Sequence, residues 1–206
     1  MVSVPPPLPD GPLDQRAVLG LYERAGGLRR GHFVLTSGLH SDVYLQSAVV
    51  LQWPAVAEAL GRALGEPWRG RVDVVVGPAM GGVVIGHEVA RALGVRMVFT
   101  ERSGGAMGLR RSFEVEAGER ALVAENVVTT GGSALEVAEL LRAAGASVTG
   151  LATVIDRLPE GVRLPLSYHA LARVAAGAWP AEECPVCGAG AEAESPGSRR
   201  LMDRAK

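Results

Sequence analysis

The residues best equipped for chemistry lie in one run, Glu125-Asn126-Val127-Val128-Thr129-Thr130-Gly131-Gly132-Ser133. Gly131 and Gly132 carry no Cβ, so the backbone there can approach a bound group closely. Thr129, Thr130 and Ser133 add hydroxyl donors. Ser133 and Glu136 have the S-x-x-E spacing of a capping box, which predicts a helix start at Ser133. The first N–H groups of such a helix lack partners in the chain, and its dipole favours an anion. Glu125 and Asn126 precede the loop and can reach the hydroxyls of a sugar whose phosphate sits in it. The run therefore reads as a site for a sugar 5-phosphate. TTGGS alone also suits an ordinary capped turn; the full arrangement of strand, polar pair, hydroxyls, glycines and cap favours the phosphate site. G-x-x-x-x-G-K-[ST] and G-x-G-x-x-G are both absent, so neither a P-loop nor a dinucleotide fingerprint accounts for it.

Such a loop must be held at the end of a strand, and the surrounding sequence supplies strands. Val72–Val76, Val95–Phe99, Ala121–Ala124 and Val148–Ile155 are apolar runs rich in β-branched residues. Helical spacing separates them at Val83–Leu93 and Ala134–Ala144. Strands apolar on both faces, alternating with helices, predict a doubly wound α/β domain with a mainly parallel sheet. Its ligands would sit at the carboxyl ends of the strands. Further helices are expected at Leu13–Ala25, closed by Gly26 and Gly27, and at Ala55–Leu64 after Pro54. Between them, GHFVLTSGLHSDVYLQ (31–46) reads as two short strands joined by Ser37–Gly38. Residues 1–12, rich in proline, are expected to form a flexible arm, and the small, polar residues 189–206 a loose tail.

The chain has 206 residues, 48% of them hydrophobic, enough for one domain with a real core. Its formal net charge is −1, so no global field recruits nucleic acid or an anionic membrane, and any anion must be held by local loops. No apolar run approaches the roughly 20 residues that span a bilayer. The start of the chain does not resemble a secretory signal, and a cytoplasmic protein is expected. Cys184 and Cys187 form a C-x-x-C pair, half of a zinc-ribbon pattern. A closed zinc site needs four ligands. The histidines, at 32, 40, 87 and 169, show no ligand spacing, so a metal could be completed only across a dimer or by distant residues; two reduced structural thiols and no metal held by the protein are expected.

The run from Glu125 to Ser133 resembles the PRPP (5-phosphoribosyl 1-diphosphate) motif of the type I phosphoribosyltransferases, normally two acidic residues followed by this loop. The likeness covers roughly residues 13–188 and implies that family's fold, with residues 13–66 as a small N-terminal hood, 67–157 as the PRPP-binding core and 158–188 as C-terminal elements. It implies that Glu125 and Asn126 contact the ribose hydroxyls and that Val127, Val128, Thr129, Thr130, Gly131, Gly132 and Ser133 wrap the 5-phosphate. Gly77–Gly82 occupies the place of the family's pyrophosphate loop, with Ala79, Met80 and Gly81 as its contacts. The family often has an aromatic and a lysine where Met80 and Gly81 stand, so binding here would rest on backbone groups.

GHFVLTSGLHSDVYLQ resembles the segment that closes over the base in the orotate-using members of the family. Thr36 stands where many members have a lysine on PRPP, and Tyr44 where an aromatic residue lies near the base. In those members an arginine at the position of Arg157 pairs with the orotate carboxylate, which a guanidinium can hold through two parallel hydrogen bonds. Thr129 would complete that pocket. A surface ion pair with Asp156 is the alternative use of Arg157. Glu101-Arg102 and the glycine-rich stretch after it resemble the mobile catalytic loop. Arg102 matches an arginine on PRPP, while the usual loop lysines are absent at Ser103 and Ala106; Arg110 or Arg111 is expected to take over charge stabilisation, since strand alternation over Leu109–Phe113 leaves at least one of them facing the site, and solvated charges at the start of a strand are the alternative.

The resemblance thus implies transfer of phosphoribose from PRPP to orotate, with Mg2+ as cofactor and a homodimer as the assembly. A purine or xanthine phosphoribosyltransferase and a non-catalytic PRPP-sensing regulator remain the alternatives. C-x-x-C tails also occur in some orotate enzymes.

Overall fold

The computed structural model describes residues 4–35 and 37–196. Residues 4–14 form no regular element and run to α1 (Gln15–Arg24), where Asp14 accepts a hydrogen bond from the Ala17 amide at 2.8 Å. That side-chain bond satisfies one of the helix's orphan N–H groups. The expected arm is anchored in part: Pro6 is buried and Arg24 donates to the Pro7 carbonyl at 3.3 Å.

The hood is an antiparallel hairpin of β1 (Leu28–Val34) and β2 (His40–Leu45), followed by α2 (Ala48–Leu51) and α3 (Pro54–Gly65). Thr36, between the two strands, lies outside the described residues. The core then alternates as expected: β3 (Val74–Pro78), α4 (Gly81–Leu93), β4 (Arg96–Ser103), β5 (Ala106–Leu109), β6 (Arg120–Val128), α5 (Gly132–Ala143), β7 (Ser147–Asp156) and β8 (Tyr168–Arg173). A short α6 (Pro185–Gly188) follows. The sheet order is β5-β4-β3-β6-β7-β8, parallel throughout except for the β5 edge, which pairs antiparallel with β4. This is the expected doubly wound, mainly parallel sheet.

Alternate residues of the central strands enter two separate cores. Val75, Leu122, Ala124 and Val154 pack with residues of α1, α3 and α4 on one face. Val74, Val76, Ala121 and Val123 pack with Val137 and Leu141 of α5 on the other. Burial on both faces is why these strands are apolar without interruption. Helices α3 and α4 pack tightly because Gly61 faces Glu88 so closely that a Cβ would lie 2.4 Å from the Glu88 Cβ.

Three local expectations are corrected. Helix α5 begins at Gly132, with Gly131 as its cap in a left-handed conformation (φ +79°), and no side-chain capping bond is made. Ser133 lies inside the first turn, and Glu136 is drawn away by Arg102 and the Met107 amide, so no capping box forms. The stretch Leu109–Phe113 is not the start of a strand. Arg111 and Ser112 take positive φ values of 57° and 59°, and the Phe113 amide bonds back to the Arg110 carbonyl at 3.0 Å, closing a turn. The tail expected to be loose from residue 189 is docked in its first part. The Val34 amide donates to the Glu194 carbonyl and the Glu194 amide to the His32 carbonyl, each at 2.8 Å.

Candidate active site

Strand β6 delivers Glu125 and Asn126 to its carboxyl end with their side chains on opposite faces, as strand geometry requires. Glu125 continues the Ala121–Val123 face and lines a cup of about 60 Å³ formed with Val127 to Ala134. Asn126 turns to the α4 side. A Cβ on Gly81 would lie 2.9 Å from its Oδ1, so the amide rests directly against the second glycine loop. Glu125 is buried, and burial pushes its carboxyl up to about 7, only partly opposed by a hydrogen bond from the Asn126 backbone.

The cup closes through Gly131. Its φ of +79° is a conformation that favours glycine, and a Cβ there would lie 2.6 Å from Leu164 Cδ2. Two independent features therefore require glycine, and one of them, the Leu164 contact, comes from beyond β7. Thr129, Thr130, Gly132 and Ser133 are exposed at the rim, and the first N–H groups of α5 open into the cup. The Gly132 amide makes a long contact of 3.4 Å to Thr130 Oγ1.

The second loop is equally tight. A Cβ on Gly77 would lie 2.5 Å from the Gly82 carbonyl oxygen, and one on Gly82 would lie 2.6 Å from that of Ala124. The Ala79–Met80 peptide is cis. The Ala79 amide is already used, donating to Thr100 O at 2.8 Å. Any anion held here must therefore use the amides at the start of α4, from Met80 and Gly81 onward. Beside them a cavity of about 350 Å³ is lined by Gln46, Leu51, Met80, Gly81, Val84 and Asn126.

Arg157 leaves β7 level with Thr129, because its amide donates to the Val128 carbonyl at 2.8 Å. Its guanidinium is half-buried, and among the described residues no carboxylate is hydrogen-bonded to it. Burial lowers its affinity for the proton, and the charge of Asp42 on β2 partly offsets this. The ion pair with Asp156 does not form. Asp156 is buried, bonds to Arg173 at 3.0 Å and accepts the Leu158 amide at 2.8 Å. Asp42 and Tyr44 share one face of β2, and Tyr44 packs against Phe33 with ring centroids 5.7 Å apart. The hood thus presents Asp42 towards the Arg157 strand end.

The arginines of the β4–β5 segment are not equivalent. Arg102 is held by Glu136 and by the Gly105 carbonyl at 2.5 Å. Arg111 bonds Glu101 at 2.8 Å, lies 5.8 Å over the Phe99 ring, and holds the Glu101 carboxyl below its ordinary range. Arg110 is exposed and makes no side-chain hydrogen bond among the described residues.

Sequence reasoning missed Asp42 and Leu164, and it gave Glu136 and Glu101 other settings than the ion pairs they make with Arg102 and Arg111. Asp42 was accessible through its two-residue spacing from Tyr44. Leu164 reaches the cup from beyond β7 and leaves no local pattern. Two of the histidines, which show no ligand spacing in the sequence, meet the cysteines through the fold. His32 and His40 converge with Cys184 and Cys187, their ligand atoms lying within 4.8 Å of one another.

The phosphoribosyl transferase domain family matches residues 48–165, which include the cup, the second glycine loop and Arg157. An orotate phosphoribosyltransferase of Caldanaerobacter subterraneus subsp. tengcongensis is 44% identical over 92% of this chain and all of its own length. One of Heliobacterium modesticaldum is 47% identical over 91% of this chain and all of its own. The crystal structure of orotate phosphoribosyltransferase from Aeropyrum pernix has a TM-score of 0.64 at 25% identity, covering 75% of this chain and 92% of that one. An adenine phosphoribosyltransferase from Rhodothermus marinus shares the fold, with a TM-score of 0.53 at 23% identity. With a family match over more than half of its length and relatives aligned nearly end to end, the chain belongs to the phosphoribosyltransferase family, in its orotate phosphoribosyltransferase branch.

Proposed function

We propose that the chain transfers the phosphoribosyl group of PRPP to orotate, giving orotidine 5-phosphate and pyrophosphate, a step of pyrimidine biosynthesis. The observation that carries this reading is Arg157, a half-buried guanidinium with no hydrogen-bonded carboxylate, standing at a strand end beside a phosphate-sized cup. A carboxylated base supplies the missing partner; a neutral purine does not.

In this reading the 5-phosphate sits on the amides of Thr130 to Ser133 and the start of α5. Glu125 accepts hydrogen bonds from the ribose hydroxyls, and Asn126 bridges the ribose to the loop at Gly81. The pyrophosphate lies over Met80 and Gly81. Its bond to C1 breaks with the electron pair leaving on pyrophosphate, and a ring nitrogen of orotate bonds to C1 with the pair freed as its own proton passes to the departing pyrophosphate or to solvent. Arg157 and Thr129 orient the base, with Tyr44 and the hood over it. Holding the reactants in line and stabilising the departing charge account for the catalysis. Arg110 is the protein cation assigned to that charge, with Arg102 and Arg111 available if Glu136 and Glu101 release them.

The donor set suits Mg2+, which is usually held by one or two carboxylates plus substrate phosphates. Glu125 supplies one carboxylate in the cup wall, and the remaining oxygens would come from PRPP. Bound there, Mg2+ would neutralise charge on PRPP. A homodimer fits Met80 and Val84, which are 81% and 45% exposed beside the second loop. The cytoplasm is the compartment that fits two free cysteines. Among the described residues no helix is long and apolar enough to cross a membrane.

The test is pyrophosphate release with PRPP, Mg2+ and each of orotate, uracil, adenine, hypoxanthine and xanthine. Turnover of orotate well above the others is expected. Preference for a purine would refute the assignment.

A further inference from the structure

The C-x-x-C tail and the hood hairpin meet at a cluster that phosphoribosyl transfer does not use. His32 Nε2 lies 3.6 Å from Cys184 Sγ and 3.5 Å from Cys187 Sγ. His40 Nδ1 lies 3.2 Å from Cys187 Sγ and 2.7 Å from His32 Nε2. In a tetrahedral site with Zn–S near 2.3 Å and Zn–N near 2.0–2.1 Å, neighbouring ligand atoms stand about 3.3–3.8 Å apart. Three of the nitrogen–sulfur separations, 3.2, 3.5 and 3.6 Å, are already close to that spacing, and all four ligand atoms lie within 4.8 Å of one another. The two imidazole nitrogens are nearer, at 2.7 Å, drawn together by a hydrogen bond that a metal would replace.

A second observation fixes the direction of the lone pair. His32 Nδ1 lies 2.8 Å from the Ala191 carbonyl oxygen. A carbonyl only accepts, so Nδ1 carries the proton, and in the neutral ring Nε2 points its lone pair into the cluster. That outer hydrogen bond is how metal-ligating histidines are usually oriented. His32 and Cys184 are buried, and four protein atoms leave no open position for a substrate. Two sulfurs and two imidazole nitrogens at this spacing match the preference of zinc.

We propose that His32, His40, Cys184 and Cys187 bind one Zn2+ as a closed structural site. It would tie the hood to the end of the chain. The same two segments are already joined by backbone bonds between His40 and Trp179, at 2.8 and 2.9 Å, and by the Arg29–Glu194 ion pair at 2.5 Å. His40 stands two residues before Asp42 and four before Tyr44 on β2, so the metal would set the angle at which the hood faces Arg157. The proposal stands independently of the substrate assignment.

The experiment uses the full-length chain without a histidine tag. Mass-spectrometric metal analysis of purified protein should give one zinc per chain, released when a mercurial blocks the thiols. Cobalt substitution should produce a thiolate-to-cobalt charge-transfer band and the strong visible bands of a tetrahedral ion. Cys187→Ser and His40→Ala should abolish stoichiometric zinc. A chelator should lower the thermal midpoint of the wild type and leave that of Cys187→Ser unchanged. If either variant fails to fold, the cobalt spectrum of the wild type decides the matter. Protein without zinc that gives only the weak spectrum of octahedral cobalt, or a Cys184–Cys187 disulfide in protein isolated under reducing cytosolic conditions, would overturn the proposal.

Discussion

Replacing Glu125 by Gln removes the buried carboxyl from the wall of the phosphate cup while keeping its shape. Burial raises this group from an ordinary 4.5 to about 7. At about 1.4 kcal/mol per pH unit, that difference is worth roughly 3 kcal/mol. The sign follows from linkage. Below pH 4.5 the carboxyl is protonated in both folded and unfolded chains, and its full contribution to stability is present. Between 4.5 and about 7 the unfolded chain loses the proton while the folded chain keeps it, so stability falls as pH rises, and the loss is complete above the folded value. Glu125→Gln cannot titrate. Its stability relative to the wild type should therefore improve by roughly 3 kcal/mol from pH 4.5 to 8 in urea titrations. Ligand binding should run the other way, because only the carboxylate accepts strongly from the ribose hydroxyls. Wild-type affinity for PRPP, measured by calorimetry relative to Glu125→Gln to cancel the titration of PRPP itself, should rise up to about pH 7 and then level off. Above that pH the variant should bind about 10- to 100-fold more weakly, the scale of hydrogen bonds to a charged group. Parallel pH profiles for the two proteins would refute the reasoning.

Gly131→Ala should weaken PRPP binding and destabilise the fold by about 1–2 kcal/mol from the left-handed backbone alone, with a further loss from the 2.6 Å approach to Leu164. Adding Leu164→Ala should relieve the second loss and not the first, as read by urea denaturation. Arg110→Ala should lower kcat by roughly 10²-fold with little change in orotate KM, the scale of one lost contact to developing charge. Arg111→Ala should do less, because Glu101 already holds that side chain; equal kcat for the wild type and the double variant would place the charge elsewhere.

The parallel sheet was legible because β3, β6 and β7 are buried on both faces and leave unbroken apolar runs. Strand β8, YHALAR, was not, because its half-buried residues alternate weakly and alanine and leucine suit a helix equally well. The cup proposed to hold the 5-phosphate is built largely from one local run of nine residues, Glu125 to Ser133. Its cap was misplaced because Ser133–Glu136 has the right spacing, while the competing partner, Arg102, lies 34 positions away from Glu136. The same limit hid the four-ligand cluster, whose members His32 and Cys184 are separated by 152 positions. Short spacings reveal sites built on one turn; sites assembled by tertiary packing leave only the residue types.

The central claim is that Arg157 reads the carboxylate of orotate beside a PRPP-loaded cup. Steady-state kinetics of Arg157→Ala test it most directly, with orotate and PRPP varied separately. Loss of one partner from a buried charged pair costs about 3–5 kcal/mol, so kcat/KM for orotate should fall by roughly 10²- to 10³-fold or more. PRPP affinity measured by calorimetry should stay within about twofold of the wild type, since Arg157 belongs to neither phosphate loop in this reading. Loss of PRPP affinity with orotate KM unchanged would contradict the claim.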